Sequence, residues 1–184
     1  MADRRESFYQ SRLTEMADRY PGFELSSAEV MLNLLYTYDV VSTGSSKFLA
    51  EHGLAKSSFN ILLNLRHGPP EGMLLHDLGE VLLMTRANVT GLIDHLEEKG
   101  LVKRVIDSSD RRARFARITK KGEGLLDEVA PRHFARITDH MQKLTGNERE
   151  MLVHLLKKLR EEFRPPAETD NEPGQASMAT VVEG

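Results

Sequence analysis

Cysteine and tryptophan are both absent from this 184-residue chain, and aromatic residues make up only 6% of it. Without a thiol there is no disulfide, thiolate metal site, cysteine nucleophile or thiol redox sensor. No apolar run approaches the roughly 18 residues of a membrane span. The N-terminus, MADRRESFYQ, has no apolar stretch of the signal-peptide kind. A cytoplasmic location with no membrane partner is therefore the expectation. The chain also lacks a phosphate loop, a dinucleotide fingerprint, a nucleophile elbow and a metalloprotease motif. Asp107 and Asp110 could form an acid/base pair, but they lie in a turn flanked by arginines with no pocket implied. No enzyme activity and no cofactor are expected. None of the seven histidines forms an i, i+4 pair, and His133 and His140 stand seven apart, two turns along a helix. That spacing is too long for one ion, so no metal site is expected.

What is present suits a soluble globular domain: 40% hydrophobic and 29% charged residues. The net charge of −3 hides a segregation. Residues 101–121 carry eight cations and two acids, a net +6, whereas residues 165–184 carry four acids and no Lys or Arg. A charge run alone is commonly a solvated face. A local basic patch can still govern binding to a polyanion when the chain average does not.

Apolar spacing lays out the elements. A loose helical pattern over residues 1–20 (Phe8, Leu13, Met16, Ala17, Tyr20) ends at Pro21-Gly22. A second helix is predicted over 27–50, capped by Ser26 or Ser27, and a third over 55–66 with Phe59, Leu62, Leu63 and Leu65 inward. The cluster from His67 to Gly72 must be a loop. Then come a short extended piece (Met73-Leu74), a short helix over 76–81, and a helix over 86–99 with Thr85 as N-cap and Gly100 as left-handed C-terminal cap. Residues 101–105 and 114–118 read as strands, joined by the turn from Asp107 to Asp110. Thr119 caps a long helix to about Leu144, with a kink or break at Pro131. Thr145 and Glu148 form a capping box ahead of a last helix, which Pro165-Pro166 ends. No internal repeat is visible.

Short helix, turn, helix, basic hairpin is the order of a winged helix-turn-helix. On a wheel of about 100° per residue, Val89, Leu92, Ile93 and Leu96 share an inner face. Ala87, Thr90, Gly91 and Asp94 lie opposite, flanked by Asn88 and His95. The outer face is small and polar, as entry into a DNA groove requires. Asn88 and Thr90 can hydrogen-bond base edges, and Ala87 or the Thr90 methyl can touch a thymine methyl. Gly91 costs about 1 kcal/mol against Ala in a helix interior; close approach to DNA is one explanation and drift another. Amides behind Thr85 can hold a phosphate, and Arg86, Lys103, Arg104 and Arg114 can reach the backbone. Arg111 and Arg112 at the wing tip suit a narrow minor groove, with Asp110 orienting one of them.

The run from Val89 through Gly100 to Arg104, then Asp107, Asp110-Arg111-Arg112-Ala113 and Ile118-Thr119-Lys120-Lys121-Gly122, resembles the MarR family of bacterial transcription regulators. Gly91 departs from the polar or basic residue that the family often has there. The resemblance implies a homodimer in which first and last helices interlock and two winged heads bind a pseudo-palindromic operator on double-stranded DNA. The apolar stripe Met151, Leu152, Leu155, Leu156, Leu159 and Phe163 agrees with such an interface. It also implies release by a small aromatic or phenolic effector, with Tyr36, Tyr38, His52, Phe59 and Arg66 as candidate contacts.

The expected fold class is mainly α with a small β-wing: a winged helix-turn-helix plus an interlocked helical dimerisation layer. Its segments are an N-terminal extension (1–26) whose helix joins the dimer layer, linking helices (27–66), the DNA-binding head (67–119), dimerisation helices (120–164) and an acidic disordered tail (165–184). The expected function is a homodimeric, ligand-released repressor. The alternative is a dimeric winged-helix protein-interaction module without specific DNA binding.

Overall fold

A computed structural model describes residues 4–106 and 114–163. The chain divides into two compact units, Met1–Arg136 and Ile137–Gly184. The division falls inside a helix.

The first unit opens with α1 (Arg4–Arg19), which buries Leu13 and ends at the Pro21-Gly22 turn, where Gly22 adopts φ +84°. Next comes α2 (Leu25–Glu51). Its cap is neither Ser26 nor Ser27 but Glu24, whose carboxylate accepts from the backbone N–H of Ser26 (3.1 Å) and of Ser27 (2.7 Å). A carboxylate answers two orphan amides at once and places its charge on the positive end of the helix dipole. Hydrogen bonds from Ser27 and Ser26 hold the Glu24 carboxyl down at about 2.

α3 (Lys56–His67) buries Ser58, Phe59, Ile61, Leu62 and Leu65, while Leu63, expected inward, is half-buried. After the loop come β1 (Met73–Leu74), α4 (Leu75–Leu82) and α5 (Arg86–Glu98). The hairpin is β2 (Val102–Ile106) and β3 (Arg114–Ile118), and β1 joins its β3 edge to give the antiparallel order β1-β3-β2. Val102 faces Ile118, Lys103 faces Arg117 and Arg104 faces Ala116 across the hairpin. The core lies between α2, α3, α4, α5, the sheet and the start of α6 (Lys120–Met141). Leu49, Ile61, Leu62, Leu78, Val89, Ile93, Leu96, Ala116 and Val129 there are wholly buried.

Two glycines fix how the head closes. Gly100 sits at φ +70° just past α5 and turns the chain into β2. Gly122, in the first turn of α6, lies so close to the Leu101 carbonyl that a β-carbon would collide with it. Thr119 locks this junction: its hydroxyl donates to the Gly100 carbonyl (2.7 Å) and accepts from Gly122 N–H (3.1 Å). α6 continues without a break through Pro131 and ends at Met141, short of Leu144. Proline removes one i→i−4 donor and leaves the neighbouring ladder bonds available.

The described part of the second unit holds the end of α6 and α7 (Gly146–Glu162). The expected capping box is present: the Thr145 hydroxyl accepts from Glu148 N–H (3.3 Å), and the Glu148 carboxylate accepts from Thr145 N–H (2.7 Å). No residue of α7 is buried. Among the described residues no helix is long and apolar enough to cross a membrane.

Candidate nucleic-acid interface

α5 is positioned from both ends and from beneath. At its start the Thr85 hydroxyl accepts from Asn88 N–H (3.3 Å). At its end Lys121 on α6 donates to the Lys99 carbonyl (2.7 Å), placing a cation on the negative helix end. Val89, Ile93 and Leu96 anchor its inner face, with Leu92 half-buried. The turn before it contains a feature the sequence did not signal. Leu83 caps α4 in the left-handed region at φ +52° and is 94% exposed. A leucine there costs about 1–2 kcal/mol.

The outward face matches the wheel. Arg86, Ala87, Asn88, Gly91, Asp94 and His95 are exposed. Thr90 is half-buried, and its hydroxyl donates to the Arg86 carbonyl (2.9 Å), so its lone pairs and methyl remain for a ligand. Around Gly91 an added β-carbon would meet nothing within 4 Å. The face is thus shallow at its centre, with Asn88 as its most capable hydrogen-bonding side chain.

The basic run does not act as one patch. The Arg104 guanidinium turns onto α5, pairing with Asp94 and with Glu97 (2.7 Å) and reaching the Thr90 carbonyl (3.4 Å). Burial works against its charge, but hydrogen bonds to Asp94 and Glu97 outweigh it and raise its pKa. The Glu97 carboxylate also accepts from Arg104 N–H (2.8 Å). Arg104 is therefore a brace between wing and helix, not a cation free to meet phosphate. Among the described residues its buried Nε has no hydrogen-bond partner. Lys103 points from the opposite side of the strand and is exposed. Lys120 pairs with Glu123 (3.2 Å). Asp110, Arg111, Arg112 and the side chain of Arg114 lie outside the described residues.

The five candidate effector contacts stand in different surroundings. Phe59 is 2% exposed, a core residue whose ring meets His133 edge-on at 4.9 Å. The His52 ring lies 4.7 Å from that of Phe48, and its Nδ1 is 3.0 Å from the Phe48 carbonyl. Tyr38 is exposed, with the Lys56 ammonium 5.0 Å above its ring; Tyr36 is half-buried. Two positions apart on a helix, the tyrosines point about 200° from each other. Arg66 is held by Glu123 (2.8 Å) and Asp127 (3.7 Å). Sequence reasoning weighed His133 only as a metal ligand; in the fold it joins Phe48, His52 and Phe59 in an aromatic cluster. Only the approach of α6 to α2 and α3 brings it there. Burial and the charge of Arg136 lower its pKa below the ordinary histidine value.

Comparison with known proteins bears on the whole arrangement. The family model described as "MarR family" matches residues 52–113. The chain is 32% identical over 133 residues to the HTH-type transcriptional regulator MhqR of Bacillus subtilis (strain 168), covering 72% of this chain and 90% of the relative. It is 28% identical over 144 residues to the HTH-type transcriptional repressor YetL of the same strain, covering 78% and 86%. Its fold superposes on Sco3205, a MarR family transcriptional regulator from Streptomyces coelicolor in complex with DNA, with a TM-score of 0.75 at 21% identity, covering 83% and 96%. With its α5 head, three-stranded wing and 32% identity to MhqR over 72% of its length, this chain belongs to the MarR family.

Proposed function

We propose that this protein is a cytoplasmic, homodimeric transcription repressor that reads a pseudo-palindromic operator with α5 and acts by binding rather than by catalysis. The observation that carries this reading is the division of α5: one face is sealed into the core, and the other presents Ala87, Asn88, Thr90 and Gly91 over a capped, amide-bearing N-terminus. Such a face admits a base edge, and the first-turn amides suit a phosphate. Arg86 adds a backbone contact, and Arg111 and Arg112 are assigned to the minor groove. Dimerisation is supported by α7 and its C-cap, where Met151, Leu152, Leu155 and Phe163 are all exposed in the single chain. The repressor role follows the named relative YetL. The regulatory half of the proposal is release by a small aromatic or phenolic ligand, with Tyr38 on α2 and His52 at its C-cap as the accessible aromatic contacts.

The test is selection from random duplexes by the full-length protein at near-physiological salt, followed by sequencing. The expected result is an enriched pseudo-palindrome with half-sites roughly one helical turn, about 34 Å, apart. Phenolic acids titrated into that complex then test release. Absence of any enriched sequence overturns the operator reading and leaves the interaction module.

A further inference from the structure

A second cationic surface lies away from α5. Lys103 and Arg117 are directly opposed across the hairpin, on the face opposite Arg104. Like charges in that position repel. Among the described residues no carboxylate pairs with either. They line a cleft of about 420 Å³ with the Pro69-Pro70 loop, Ile118, the end of α3 and the start of α6. That volume falls within the range of small-molecule sites, about 300–1,000 Å³.

The cleft also sorts its own charges. Glu123 accepts from Lys120 and Arg66, and first Lys120, then Arg66, keep its carboxyl below the ordinary value. This carboxylate occupies two of the four lining cations and leaves Lys103 and Arg117 as the uncompensated pair.

We infer that this cleft is a binding site for the oxyanion of a small organic molecule, a phosphate or carboxylate held by Lys103 and Arg117 with its apolar body on Pro69-Pro70 and Ile118. A guanidinium and an ammonium side by side give charge-assisted hydrogen bonds to two oxygens of one group. Two features favour a small ligand over a DNA backbone: the surface is concave, and part of its lining is apolar. The inference goes beyond the operator reading and does not depend on it.

The test uses the full-length protein with phenyl phosphate, benzoate and inorganic phosphate as probes, followed by calorimetry and thermal melting. Phenyl phosphate or benzoate is expected to bind saturably, more tightly than inorganic phosphate, and to raise the melting midpoint. The double variant Lys103→Gln/Arg117→Gln should lose at least about tenfold in probe affinity. Its fold, checked by circular dichroism, should be unchanged, and the charge-matched control Lys47→Gln/Lys143→Gln should bind as the parent does. The salt dependence of binding to a random duplex separates the two sources of phosphate. An unchanged slope in the Lys103/Arg117 variant supports the small-ligand site. A slope reduced by about 1.8 assigns both cations to the DNA backbone and overturns the inference. Absence of saturable probe binding, or equal binding by parent and variant, overturns it as well. Operator selection can succeed or fail independently of each of these results.

Discussion

Two helices of this chain, α5 and α7, have amphipathic sequences and opposite fates. In α5 the apolar positions Val89, Ile93 and Leu96 are completely enclosed by the head's own core. In α7 the apolar positions Met151, Leu152 and Leu155 are 43–59% exposed, and nothing on the helix is buried. The same periodicity thus means two different things. In the head it records packing that one chain completes. In the C-terminal unit it marks a surface whose apolar area exceeds what a solvated helix would carry. On the proposed dimer, the second surface is closed by another copy.

The sharpest way to break this contrast is one substitution in each helix. Leu155→Glu should convert the dimer to a monomer in sedimentation and lower operator affinity by at least about 100-fold, because the second head loses its effective concentration. A variant that stays dimeric would show that α7 does not form the interface. In the head, Ile93→Ala should cost about 2–5 kcal/mol in denaturant unfolding through cavity formation. That cost reports the α5 core itself, whereas the stability lost in α7 should depend on protein concentration. If Ile93→Ala leaves unfolding unchanged, the head core is misassigned.

Smaller effects sharpen the reading of the outer face of α5. Asn88→Ala should remove about 1–3 kcal/mol of discrimination at one base pair. Competition binding against base-substituted operators would show it, with melting nearly unchanged; a uniform loss at all sequences would instead make Asn88 a backbone contact. Gly91→Ala should stabilise the helix by about 1 kcal/mol, since the new β-carbon meets open space. Operator affinity should fall as melting rises, because the methyl group obstructs close approach. If affinity is kept, the glycine has no role at the groove.

The smallest expected effect is a pH dependence from His133. Its folded pKa lies below the ordinary histidine value of about 6.5, so the folded state favours the neutral ring. This contribution is fully present above about 6.5 and is lost as pH falls from there through the folded pKa. Unfolding free energies measured at pH 7.5, 6.5 and 5.5 should decline toward acid. The decline should be shallower in His133→Leu, and parallel slopes would remove His133 from the account.

Much of the architecture was legible along the chain because its signals are local. Thr85 before Arg86, Gly100 after the helix, and the Thr145–Glu148 pair each complete their hydrogen bonds within a few residues. The inner and outer faces of α5 followed from its period. Where a signal was local but had two readings, the wrong one was available: Ser26 and Ser27 looked like caps, yet their amides are answered by Glu24, because its carboxylate reaches both. Pro131 suggested a kink or a break, and the helix runs through it unbroken.

The sequence by itself determined the order of elements, the polar outer face of α5 and the apolar stripe of α7. Caps, turns and periodicity are short-range properties, set by backbone hydrogen bonds and side-chain spacing. Only the tertiary structure decided what the charges and rings do. It turned Arg104 onto Asp94 and Glu97, set Lys103 against Arg117, and enclosed His133 between Phe48 and Phe59. These partners are separated along the chain by up to 85 positions, from residue 48 to residue 133. Strand register and helix packing bring them together, and the free energy that selects those contacts belongs to the whole core rather than to any one segment.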